Sequence, residues 1–209
     1  MTTVSRLTDS CLVVTTDDEA TMFDPGFHTF LSGEIELDSI PDVTRLLITH
    51  EHGDHVHPDF IKWLQERGTD LSIYSNDAVV ALLEPHGIEV TTTPPEGVTA
   101  EDVVHGMLPT GAQPPNRSFT IDGVLTHPGD SREPDVVAPI LALPLIVPWG
   151  SARGAVEHAQ RVKPAQVIPI HDWYLSQGGR EFIRGMISGV LGEQGIEMID
   201  LDWGQSYTV

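Results

Sequence analysis

Short apolar runs, each closed by turn residues, follow one another along the chain and are interrupted by a few stretches of helical spacing. "CLVVTT" (Cys11 to Thr16) and "TMFDPG" (Thr21 to Gly26) predict two strands of a hairpin around an acidic turn, Asp17-Asp18-Glu19. "VTRLLITH" (Val43 to His50) is an apolar run that ends in polar residues, the pattern of a buried strand feeding a functional loop. Phe60, Ile61, Trp63 and Leu64 share one face of a helix over Asp59 to Arg67, with Gly68 after it. "LSIYS" predicts a strand, Asn76 caps a helix running to Leu83 and closed by Pro85 and Gly87, and Ile88 to Thr93 predicts a returning strand.

Between Thr93 and Pro115 the chain is rich in Pro, Gly and Thr and predicts strand ends and loops, broken only around Val103, Val104 and His105. "SFTIDGVLTH" (Ser118 to His127) predicts a hairpin turning at Asp122-Gly123. "APILALPLIVPWG" is too short to span a bilayer and predicts a buried segment, at least partly strand. A helix from Ser151 to Val162 follows, capped by Ser151 and stopped by Pro164; then a strand in "AQVIPIH", a helix from Gly179 to Leu191 and a late strand in "IEMIDLDW". Hairpins come first and strand-helix-strand units later, with no linker, charge block or tandem repeat, so a single layered α/β domain over residues 1–209 is expected.

Charge narrows the range of functions. The 209 residues carry 11 Lys+Arg against 31 Asp+Glu, a net charge of -20, and the excess is concentrated in residues 1–104, with 4 basic and 20 acidic side chains. Phosphate neutralisation needs Lys and Arg, so nucleic acid is disfavoured as a partner and a small-molecule substrate is expected. The single Cys11 lies in an apolar run and reads as a small hydrophobe in a reducing compartment. With no signal-peptide pattern and no apolar run near 20 residues, the expectation is a cytoplasmic protein without membrane contact; self-association is left open.

The chemistry is concentrated in "ITHEHGDHVHP", where His50, His52, Asp54 and His55 form H-x-H-x-D-H directly after a predicted strand. Residues at i and i+2 of an extended segment point to the same side, so the two imidazoles can meet one cation. The following turn can aim Asp54 and His55 at a second. In a chain of this composition the four positions match by chance with a probability of about 0.002. Asp130 in "THPGDS" and His171 in "VIPIHDW" each follow a predicted strand, where α/β sheets build their sites. Imidazole with carboxylate favours zinc, iron or manganese.

These motifs resemble the metallo-β-lactamase-fold hydrolases over nearly the whole chain: "FDPG" ahead of the signature, "THEHGDH" itself, a later isolated His, "HPGDS" and "IPIHDW". The length, "HPGDS" and "VPWG" look most like the branch that includes ascorbate-6-phosphate lactonase. The resemblance implies a four-layer αββα sandwich and two divalent metal ions, zinc first and manganese or iron next. It puts His50, His52 and His105 on one metal and Asp54, His55 and His171 on the other, with Asp130 bridging. His127, three residues before Asp130, competes with His105, which is preferred because it precedes the hairpin leading to Gly-Asp. The implied activity is hydrolysis of a small-molecule ester, lactone or phosphodiester by a metal-bridging hydroxide that Asp54 orients. Arg132 and Arg153 are the basic residues nearest these motifs in sequence and, with Trp173, are candidate substrate contacts. Trp149, Trp173 and Tyr174 read equally as core or as pocket wall. A nuclease of the same fold, an iron redox protein and a non-enzymatic metal-binding module are the alternatives.

Overall fold

The computed structural model describes residues 1–17, 19–68 and 70–209, so Asp18, the middle of the predicted acidic turn, lies outside the described residues. The chain forms two units, Met1–Pro95 with Leu201–Val209, and Glu96–Asp200. Each holds one six-stranded sheet.

In the first unit β1 (Thr3–Arg6), β2 (Leu12–Thr15) and β3 (Ala20–Phe23) form an antiparallel meander. β4 (Arg45–Leu47) and β5 (Ser72–Tyr74) continue it in parallel, and the C-terminal β12 (Ser206–Thr208) closes the other edge against β1. Parallel neighbours need crossovers, and α1 (Phe27–Leu31) and α2 (Pro58–Glu66) lie in them. α2 buries Phe60, Ile61 and Leu64 in a core shared with Met22, Leu46 and Ile48 of the sheet region and with Val79 and Leu83 of α3 (Asp77–Leu83). Phe23, Leu47 and Tyr74 are in register, so the loops carrying Asp24, His50 and Asn76 leave the sheet at the same edge.

The second unit repeats this plan. β6 (Val98–Val104), β7 (Pro115–Ile121) and β8 (Leu125–His127) are antiparallel, and β9 (Ile140–Pro144), β10 (Gln166–Ile170) and β11 (Glu197–Met198) follow in parallel. α4 (Ala152–Val162) and α5 (Gln177–Gly192) are the crossovers, and their Ala155, Ala159, Ile187 and Leu191 pack on Leu141, Leu143 and Val167. β6, β8 and β10 run the same way, so His105, Asp130 and His171 all follow strand ends at one edge. Among the described residues there are two six-stranded sheets and five α-helices, the mixed α/β content expected from the motifs.

The predicted caps are present: Asn76 accepts from the amides of Ala78 and Val79, and Ser151 from that of Gly154. Asp122 (φ +51°) and Gly123 (φ +65°) supply the left-handed turn of the predicted hairpin. Three expectations are corrected. Ile88–Thr93 makes only an isolated bridge, between Tyr74 and Thr91. The stretch read as strand ends and loops contains the seven-residue β6, paired along its length with β7. It is an edge strand with exposed Glu101 and Asp102, and so lacks the apolar run that a buried strand shows. The late strand shrinks to Glu197–Met198. Among the described residues no helix is long and apolar enough to cross a membrane.

One buried group couples this fold to pH. Burial first, and then Arg161, push the pKa of His158 on α4 down to about 4 from 6.5. The folded chain therefore holds this imidazole neutral where the unfolded chain protonates it; the stability it protects is present above pH 6.5 and is lost as pH falls toward 4. The window amounts to about 3 kcal/mol. In urea titrations with a chelator present, His158→Gln is expected to flatten the decline between those pH values; an unchanged slope would assign the decline to other groups.

Candidate metal centre

Each unit carries its own share of the candidate ligands. In the first, Asp24 leaves β3 with φ +47°, a left-handed conformation that Asp tolerates, and its carboxylate is fully buried. It organises the signature loop. The backbone amide and the hydroxyl of Thr49 donate to Asp24 at 2.8 and 2.9 Å, and His55 Nδ1 lies 2.6 Å from Asp24 Oδ2. Because the Thr49 hydroxyl proton is committed to Asp24, its oxygen accepts from His50 Nδ1 at 3.0 Å. In the neutral rings Nδ1 then carries the proton, which leaves Nε2 of His50 and His55 to ligate. His50 Nε2 and His52 Nδ1 face each other at 3.0 Å, the arrangement of two nitrogens suited to one cation. Asp54 Oδ2 lies 4.0 Å from His55 Nε2.

Close backbone packing holds this loop. A Cβ on Gly26 would fall 1.7 Å from the Asp54 carbonyl oxygen, so "DPG" needs its glycine for this approach. Phe27 N donates to Gly53 O and His57 N to Pro25 O. Asn76 adds a donor from the end of β5 to Thr49 O.

In the second unit His105 follows β6 and donates from Nδ1 to Gly106 O at 2.5 Å, which leaves Nε2 to ligate; that atom is 3.3 Å from Asp130 Oδ2. His171, with φ +57° at the end of β10, places Nε2 against Asp130 Oδ1. One carboxylate thus faces an imidazole with each oxygen. Asn116 accepts from Asp130 N and donates to Pro128 O, fixing the Gly-Asp turn. Trp149 Nε1 donates to Asp130 Oδ2 at 2.8 Å. His127 is buried and its Nδ1 accepts from Gly129 N, so in the neutral ring Nε2 carries the proton.

The candidate substrate contacts lie differently. Arg132 is partly buried, donates to the carbonyls of Pro144 and Leu145, and lies over the Trp149 ring; burial lowers its pKa to about 10. Arg153 is exposed on α4 and paired with Glu157, whose hydrogen bond raises its pKa. Trp173 is partly buried in the turn after β10. Sequence reasoning named neither Asp24 nor Thr49 as functional, although "FDPG" at a strand end marked the place. It also missed Arg184 of α5, which reaches from the helix to Asp172, beside His171.

The profile of the metallo-beta-lactamase superfamily matches residues 6–171, from the end of β1 to the last candidate ligand. The chain belongs to this superfamily. It is 28% identical over 196 residues to protein Rv0786c of Mycobacterium tuberculosis (strain ATCC 25618 / H37Rv), covering 86% of this chain and 88% of that one. Among solved structures it is similar to Igni18, a metallo hydrolase from the hyperthermophilic archaeon Ignicoccus hospitalis (TM-score 0.70, 15% identity, 99% of this chain and 97% of that one). It is similar also to the metallo-beta-lactamase fold protein YhfI from Bacillus subtilis (TM-score 0.70, 13% identity, 99% and 98%). The superfamily's matched span takes in H-x-H-x-D-H, Asp130 and His171 together.

Proposed function

We propose that this chain is a cytoplasmic dinuclear metal-dependent hydrolase of small molecules, cleaving a lactone or other ester, or a phosphodiester. In this reading His50, His52 and His105 serve one divalent cation, Asp54, His55 and His171 the other, and Asp130 both. Zinc is the first choice, with manganese or iron as alternatives.

The observation that carries the reading is the assignment of protons in the first unit. Thr49 and Asp24 take the Nδ1 protons of His50 and His55, so both rings are held in the tautomer that ligates through Nε2. A buried histidine of any role needs a partner on its ring; what adds to it here is His52 Nδ1 at 3.0 Å from His50 Nε2, a second nitrogen facing the first. When bound, two such cations supply a hydroxide nucleophile from water near neutral pH and positive charge for the developing oxyanion. The chain's residues do the rest: Asp24 holds the proton of His55 Nδ1 and Gly106 O that of His105 Nδ1, which leaves each Nε2 to ligate, and Asp54 would orient the attacking water.

Charge favours a small substrate. A nuclease tracks a phosphate backbone with free cations, whereas here the net charge is -20 and the Arg132 guanidinium is committed to two backbone carbonyls. The test is a panel of a γ-lactone, a p-nitrophenyl ester and bis-p-nitrophenyl phosphate, run on native protein and His52→Ala. Metal content and hydrolysis are expected to fall together, hydrolysis by more than about 100-fold, since loss of a direct ligand should exceed the loss seen for an outer partner. Full activity in verified metal-depleted His52→Ala would refute the mechanism.

A further inference from the structure

Resting on the reading of Asp130 as a shared metal ligand, we propose that Trp149 is a positioning residue that sets the rotation of the Asp130 carboxylate. A carboxylate on a short side chain turns freely unless both oxygens are engaged. Here Oδ1 faces His171 Nε2, while Oδ2 receives the indole N–H of Trp149 at 2.8 Å and faces His105 Nε2 at 3.3 Å. Rotation by a quarter turn would break the indole bond and withdraw one oxygen from each imidazole. An indole is a donor only and cannot compete for a cation, so it can hold the carboxylate without replacing it as a ligand.

The indole is itself held by a built pocket. The Arg132 guanidinium lies 5.0 Å from the centre of the Trp149 ring and is fixed by Pro144 O and Leu145 O. His105 meets the ring edgewise at 5.9 Å. Glycines leave the space: a Cβ on Gly106 would fall 2.0 Å from an indole carbon, and Cβ atoms on Gly150 and Gly154 would fall 2.7 and 2.4 Å from Arg132 Nη1. Three separated sequence features, "HG" at 105–106, "GDSR" at 129–132 and "PWGSARG" at 148–154, are thereby one device. Gly106 N also donates to the Asp130 carbonyl, tying the turn that carries the carboxylate to the wall behind the indole.

The decisive variant is Trp149→Phe, which keeps an aromatic ring under Arg132 and removes only the donor and part of the ring area. Zinc is titrated into metal-free native and variant protein against a chromophoric chelator, and the melting temperature of each metal-free form is recorded. The expected result is a roughly 10–100-fold loss of affinity for at least one zinc equivalent, the size typical of an outer partner of a metal ligand. A lowered melting temperature with zinc affinity unchanged would reduce Trp149 to a packing role and overturn the proposal. Should Trp149→Phe not fold, Gly106→Ala keeps the indole but displaces it, and must give the same loss; native zinc affinity in that folded variant overturns the proposal equally. Native protein that binds no zinc would instead defeat the metal reading itself, and this inference with it.

Discussion

Asp130→Ala is expected to yield folded protein whose metal content, measured by elemental analysis without chelators or added metal, drops from about two equivalents to one or none. Within the second unit the Asp130 carboxylate faces His105 with one oxygen and His171 with the other, so its removal takes away a group that links those two imidazoles. Hydrolysis should fall on the order of 10³-fold, about 4 kcal/mol of transition-state stabilisation. Asp130→Asn separates charge from shape: the amide oxygen can still accept from Trp149, but a neutral group is a poor partner for two cations, so metal content should fall here too. Native protein that stays empty when resupplied with zinc would overturn the ligand assignment, and two full equivalents in Asp130→Ala would overturn the bridging role.

What was legible in the sequence follows from which forces act locally. Strands with buried faces announce themselves, as in "CLVVTT" and "AQVIPIH", because burial on both faces leaves an apolar run with polar residues only at its ends. β6 hid because an edge strand may carry charges: its Glu101 and Asp102 are exposed while its backbone pairs fully with β7. Ile88–Thr93 misled in the opposite sense, since β-branched residues favour a strand only where a neighbour offers a ladder, and here only Thr91 finds one. β1 and β12, of four and three residues, give too short a pattern to be read: β1 lies between β2 and β12, and β12 reaches it from the far end of the sequence.

The same division holds at the site. The spacing of His50, His52, Asp54 and His55 is local and was visible. Some of the partners that hold the site side chains are not local: Asp24 is 31 residues from His55, and Trp149 is 19 from Asp130. Single positions such as these have no period and no motif of their own until the fold brings them together. The shared plan of the two units gives a rule for finding them. Each presents an aspartate just beyond its third strand, Asp24 after β3 and Asp130 in the turn after β8, and each aspartate meets imidazoles. "DPG" and "PGD" are therefore corresponding landmarks in the two units, although no sequence repeat links them.

Arg184→Met should destabilise the chain by about 3–5 kcal/mol, a loss of roughly 6–20 °C in melting temperature for a protein of this length. Arg184 is 3% exposed on α5 and donates from Nε and Nη2 to the same oxygen of Asp172, with Nη1 on Asp200. Burial works against its charge, but Asp172 and Asp200 outweigh it and leave its pKa above the ordinary value. The cost of the substitution lies in the stranded partner: Asp172 is 1% exposed, and a buried carboxylate without its cation must either remain charged at high cost or take up a proton. The double variant Asp172→Leu with Arg184→Met removes both charges and is expected to recover most of the lost stability, whereas an Arg184 that mattered only through packing would leave the double variant no better than the single one. Asp172 directly follows His171, whose backbone sits at φ +57°, so the pair also anchors a strained turn that carries a candidate ligand. Chelator-free zinc analysis of the double variant separates the two roles: restored melting temperature with reduced zinc would mean that Arg184 and Asp172 hold His171 in place, and restored zinc as well would confine the pair to stability.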